Sequence, residues 1–165
     1  MRTIEIKDAN GVWQNISGFE MEPVQSHEWG ILIRKYKVTF SNANEYWSLI
    51  KDGREVRIYD DGAKTFHGII YNSKDNIDDN TIKCDIYHYI VKAKDIKVKV
   101  AFPPNANLTD VILYGAERVP GITVNHVALS PYIVESFSFD EPMDILQMWG
   151  EALRVCDWGL YLDDD

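Results

Sequence analysis

Residues 55–70, EVRIYDDGAKTFHGII, decide the fold. Val56 and Ile58 alternate with Glu55, Arg57 and Tyr59, the two-residue period of a half-buried strand. Asp60-Asp61-Gly62 supplies residues that tolerate the backbone of a tight hairpin turn. On the return strand Phe66 and Ile70 point one way, with Gly68 between them. A glycine there marks a bulge or a tight bend in a closing sheet. A polar loop over residues 74–80 leads to a third segment. Its Ile82, Cys84, Ile86 and Ile90 mark one face, interrupted by His88, and Lys83, Asp85, Tyr87 and Tyr89 mark the other. The pattern is an antiparallel meander with one face to a core and one to solvent or a partner.

Working outward, Thr3 to Lys7 alternates and ends at the turn signal Asp8-Ala9-Asn10-Gly11. Strands are expected over residues 12–16, 19–24 and 31–40, the last with Leu32, Tyr36, Val38 and Phe40 on one face and Arg34, Lys35 and Lys37 keeping it partly hydrated. Over residues 42–50 the period changes. Tyr46, Trp47, Leu49 and Ile50 line one side of a short helix, with Asn42 or Asn44 as its cap. Ile96, Val98 and Val100 alternate with Lys97 and Lys99 as one more strand. Phe102-Pro103-Pro104-Asn105 cannot continue a sheet, so a domain boundary is expected there.

The fold class is therefore β-rich α+β: an antiparallel β-barrel over residues 1–101, then the start of a small α/β domain over residues 105–165. In the second domain Asn107 and Asp110 have capping-box spacing ahead of Leu108, Val111, Ile112 and Gly115. Strands are expected at residues 122–124, 133–139 and 158–162, and a helix from Asp140 carries the stripe Ile145, Leu146, Trp149, Ala152, Leu153 and Cys156. The last three residues, Asp163 to Asp165, fall in a strand-and-turn opening, which suggests a piece of a longer protein.

Composition narrows function. The 165 residues are 45% hydrophobic and 26% charged, a core-forming balance. A net charge of -9 repels a phosphate backbone, so nucleic acid is not an expected partner. No apolar stretch is long enough to span a bilayer, and Met1-Arg2-Thr3-Ile4-Glu5 does not open a signal peptide. Cys84 and Cys156 fit no metal or redox spacing and read as small buried hydrophobes. His27, His67, His88 and His126 form no metal-ligand pair. Asp75, Asn76, Asp78, Asp79 and Asn80 lack the glycine and terminal glutamate of a calcium loop. No nucleophile motif or phosphate loop is present, so neither catalysis nor a cofactor is expected.

One candidate surface remains. Lys92, Lys94, Lys97 and Lys99 lie near Tyr87 and Tyr89. This set reads as an edge strand guarded by lysines, as a protein interface, or as the groove of a small nucleic-acid-binding barrel. Five Trp and nine Tyr add further interface candidates; Trp29, Trp47, Trp149 and Trp158 are expected in cores.

The ordered set of motifs resembles a known family. Leu49-Ile50-Lys51-Asp52-Gly53-Arg54-Glu55-Val56-Arg57-Ile58, the turn, Phe66-His67-Gly68-Ile69-Ile70 and Ile82-Lys83-Cys84-Asp85 resemble the meander of phage baseplate hub proteins. Leu108-Thr109-Asp110-Val111-Ile112, Gly121-Ile122-Thr123-Val124, Glu141-Pro142-Met143-Asp144-Ile145-Leu146 and Gly159-Leu160-Tyr161-Leu162 resemble the elements that follow. The family includes contractile-tail hub proteins, tail-associated proteins, late control protein D and type VI secretion spike proteins. The resemblance implies a split β-barrel and a structural subunit of a tail tip or baseplate hub. It further implies a homotrimer in the full-length form, joining the tail tube to a spike or fibre. Its location would be the virion tail, after synthesis in the bacterial cytoplasm. The second barrel of that family is absent from these residues. The lysines would then face an acidic partner ring.

Overall fold

The computed structural model describes residues 1–28, 31–99, 101–103, 106–124 and 141–156. The expected strands at 133–139 and 158–162, the Asp163 to Asp165 terminus, Trp29, Trp158 and His126 lie outside them, as do the side chains of His27 and Cys156.

Seven strands form one sheet: β1 (Arg2–Lys7), β2 (Trp13–Ile16), β3 (Phe19–Glu28), β4 (Ile31–Ser41), β5 (Glu55–Asp60), β6 (Ala63–Asn76) and β7 (Thr81–His88). Their order is β2-β1-β5-β6-β7-β4-β3. The pairings β1 with β2 and β5, β5 with β6, and β7 with β6 and β4 are antiparallel. The meander stands as the sequence indicates. Val56 lies opposite Gly68, Ile58 opposite Phe66, and Ile70 opposite Ile86. Asp61 (φ 50°) and Gly62 (φ 84°) both take the left-handed backbone that a two-residue hairpin requires.

The sheet is curled. β2 and β3 are its two outer strands, yet only Ser17 and Gly18 join them. Seven flat strands would put these edges about 29 Å apart, whereas a two-residue link spans about 11 Å at most. The Gly18 carbonyl also accepts a 2.7 Å bond from the Ser41 amide at the end of β4. One hydrophobic cluster draws on all seven strands: Ile4 and Ile6, Ile16, Phe19 and Met21, Val38 and Phe40, Val56 and Ile58, Phe66 and Ile70, Ile82, Cys84 and Ile86. Tyr36 meets Phe66 edge-on at 4.9 Å although β7 lies between their strands. Gly68 is needed for packing. A Cβ there would lie 2.4 Å from the Tyr87 carbonyl oxygen and 2.5 Å from the Phe66 ring. Cys84 is the small buried hydrophobe its setting implies, and burial pushes its thiol up to about 12.

Local departures have local causes. The helix expected over residues 42–50 is a single turn, α1 (Ala43–Tyr46), with Asn42 in the left-handed region and no side-chain cap. Ile50 is buried, and Trp47 and Leu49 pack on the core from the turns that follow. Lys74, Asp75 and Asn76 belong to β6 instead of a loop, because a bulge after Tyr71 absorbs Asn72 and Ser73 and the ladder then resumes. Tyr89–Asp95 is a 3-10 turn and does not extend β7. Tyr89, Ile90, Val91 and Ala93 are all buried there, which the one-sided burial of a wet-faced strand does not allow.

The described residues divide into two compact units, the first holding Met1–Ser26 and Ile33–Tyr89 and the second His27, Glu28, Ile31, Leu32 and the described residues from Ile90 to Cys156. The second unit has a short antiparallel pair, β8 (Lys97–Val98) with β9 (Met143–Asp144), and two helices, α2 (Leu108–Ala116) and α3 (Ile145–Cys156). Of the strand expected over residues 96–100, Lys97 and Val98 form β8 and Val100 lies outside the described residues, and no strand is present at residues 122–124. The capping box is complete. Asn107 Oδ1 accepts from the Asp110 amide at 3.0 Å, and Asp110 Oδ2 accepts from the Asn107 amide at 2.9 Å. Helix α3 starts at Ile145, later than Pro142, where the Asp144 carboxylate accepts from the Gln147 amide at 2.7 Å. Its Ile145, Leu146, Trp149, Ala152 and Leu153 are buried, and Trp149 Nε1 donates to the Ile112 carbonyl at 3.2 Å.

Candidate functional site

Curling puts the alternate residues of every strand on an outer face. One row crosses it: Trp13 on β2 beside Lys7 on β1, Glu55 on β5, then Ile69, which is buried, and Tyr87 and Lys35 on β7 and β4. Lys7 Nζ lies 3.4 Å from Glu55 Oε2, and Lys35 Nζ donates to the Tyr87 hydroxyl at 3.3 Å while lying 4.9 Å above its ring. In the next row Arg57 pairs with His67.

Trp13 gathers this surface. The Arg57 guanidinium lies 4.0 Å from its ring centroid, the Lys7 ammonium 5.5 Å away, and the His67 ring approaches edge-on at 6.3 Å. A cation over an indole is held by the ring's quadrupole. His67 stacks on Tyr89 at 4.5 Å with 20° between the planes, and its Nε2 lies 3.6 Å from Glu55 Oε2. Burial drives the His67 pKa below the ordinary value. Glu55 opposes that, and the positive charges of Arg57 and Lys64 add to it. Lys7, Trp13, Glu55, Arg57 and His67 are half-buried, and together they make an aromatic and charged surface of the kind that carries protein contacts.

The sequence-derived candidates fall in two places. Tyr87 lies on the outer face of the sheet, where Tyr71 meets it edge-on at 5.6 Å. Tyr89 is buried against His67. Lys92 and Lys94 are half-buried on the 3-10 turn. Lys97 pairs with Asp144 at 3.4 Å on β8, and Lys99 is exposed. These four lysines are not one strand. Trp13, Lys7, Arg57 and His67 were not legible as a group, since only the register joins residues so far apart in the chain. Among the described residues no three His, Cys, Asp or Glu side chains come together to hold a metal ion, and no helix is long and apolar enough to cross a membrane.

No family model and no curated protein matches the sequence. Solved structures do. The 43 kDa tail protein of prophage MuSo2 from Shewanella oneidensis aligns at a TM-score of 0.63 and 12% identity, over 93% of this chain and 47% of that one. A tail protein from Neisseria meningitidis MC58 aligns at 0.67 and 10% identity, over 99% and 48%. The fold is one that tail proteins share. Prophage tail protein gp18 from Listeria monocytogenes EGD-e has the same tail-protein fold at 0.62 and 13% identity, over 92% and 45%. This chain spans less than half the length of each of those tail proteins.

Proposed function

We propose that the chain is a structural, non-enzymatic part of a phage or prophage tail, and that its curled sheet is a split β-barrel serving in a ring at the tail tip or baseplate hub. The observation that carries this reading is the seven-stranded sheet whose outer strands are joined by Ser17 and Gly18, within a fold shared with three tail proteins. A sheet tied in this way around one core is a stiff building block. In this reading the outer aromatic and charged rows meet neighbouring tail proteins: a distal-tail or tube ring on one side, a spike or fibre on the other. Assembly would follow synthesis in the bacterial cytoplasm and place the protein in the virion tail.

The test uses the full-length polypeptide that contains these residues. Light scattering is expected to give the mass of a trimer, and electron microscopy of purified tails labelled through an epitope on this chain is expected to place the label at the tip. A strict monomer at high concentration, or label distributed along the tube, would overturn the ring. Clearing in a cell-wall zymogram by these 165 residues would overturn the non-enzymatic reading.

A further inference from the structure

The β6–β7 hairpin and the strand beside it separate charge in an unusual way. Lys74 on β6 lies directly opposite Lys83 on β7. Like charges at facing positions of an antiparallel pair are destabilising. On its other side Lys83 faces Thr39 of β4, and Lys37 is one outward position further along that strand, opposite Asp85. Asp85 already accepts a 3.2 Å bond from the Asn72 amide group. Lys37, Lys74 and Lys83 are exposed and make no ion pair among the described residues. Asp85 keeps its negative charge beside Lys37, so the unbalanced charge on this face centres on the facing pair Lys74 and Lys83, in a chain whose net charge is -9.

The tip of the same hairpin has the opposite character. Asp75, Asp78 and Asp79 fall within five residues, all exposed, and Asp79 accepts from the Asn76 side-chain amide at 2.6 Å. Between them Ile77 is 78% exposed, an apolar side chain held out at the end of a fourteen-residue strand. Its neighbours Asn80 and the start of α1 fix the tip from behind, through the Ala43 and Asn44 amides, which donate to Asn80 at 3.0 and 2.9 Å. The tip is thus a braced, acidic projection with an apolar point.

We propose that this chain associates with a second copy of itself through these two patches, the Asp75 to Asn80 tip of one copy resting on the Lys37, Lys74 and Lys83 face of the other. The tip carboxylates meet the facing lysines Lys74 and Lys83 and relieve their repulsion, and Ile77 supplies the apolar contact that charge alone lacks. The contact rests on the charge pattern and not on the tail reading, so either stands or falls alone.

Sedimentation of the 165-residue chain across a concentration series tests it. The average mass is expected to rise with concentration at low salt and to fall back at about 1 M salt, where charges are screened beyond about 3 Å. The double variant Lys74→Glu, Lys83→Glu and the variant Asp78→Lys, Asp79→Lys should each weaken association about tenfold or more. Circular dichroism should show both folded, since all four positions are exposed. Mixing the two variants should restore association, because each then carries the charge the other now needs. Equal association of both variants with the parent, or no recovery on mixing, would overturn the proposal. So would a parent chain that stays monomeric throughout, including one that binds poly-aspartate, which would give the lysine face to another acidic partner.

Discussion

Gly68 stands where the Phe66 and Ile86 side chains and the Tyr87 backbone carbonyl converge, and its lack of a Cβ is a packing requirement. The added methyl of Gly68→Ala would have to displace the Tyr87 carbonyl, which the β-ladder holds in place. Overpacking a well-packed core of this kind costs about 1–3 kcal/mol, so the urea midpoint of the variant is expected to fall clearly. An unchanged midpoint would mean that the sheet can open at β6. His67 makes a second prediction at this scale. Burial holds its pKa below the unfolded value of about 6.5. Between the folded and unfolded values the unfolded chain binds more protons, so stability falls as pH drops through that window and is fully present above it. His67→Gln should flatten the pH dependence of unfolding just below about 6.5. A slope identical to that of the parent chain would remove His67 as its source.

Elements were legible where burial is one-sided. β5 and β7 show alternate residues that face water, and the turn residues are local, so the EVRIY segment, the strand from Thr81 and the Asp61-Gly62 turn could be read directly, while in FHGII Gly68, Ile69 and Ile70 are all buried and the hairpin turn places the strand. The 89–95 segment could not, because Tyr89, Ile90, Val91 and Ala93 are all covered and apolar character alone does not separate a strand from a turn. The Asn107 and Asp110 cap was legible for the opposite reason: its whole mechanism lies within four residues. Asn107→Ala removes one acceptor from the start of α2 and is expected to cost about 1 kcal/mol. Asn107→Ser should recover most of that in a thermal melt, and a melt unchanged by the alanine would show that tertiary packing alone holds the helix end. The outer aromatic row stayed hidden because Trp13 meets Arg57 only through the pairing of β1 with both β2 and β5.

For the whole molecule, strand order and chain order disagree in an informative way. β1 and β5 are neighbours across some fifty residues of chain, and β3 and β4 lie at the far side of the same sheet. No local pattern encodes such pairings. They follow from the demand that Ile4, Phe40, Val56, Phe66 and Ile86 share one core. Since Ser17 and Gly18 already tie β2 to β3, the six earlier strands form a run from β4 through that link to β6, with a gap between its two ends. β7 is the last of the seven to leave the ribosome, and its place in the sheet is that gap. It is the keystone of the arch: until Thr81 to His88 emerges, β4 and β6 each offer a long unpaired edge, and Ile82, Cys84 and Ile86 are missing from the core. A chain ending at Asn80 is therefore expected to be recovered in inclusion bodies while one that runs through the 3-10 turn stays in solution. Synthesis thus leaves the facing edges of β4 and β6 unsatisfied until the last of the seven strands is made.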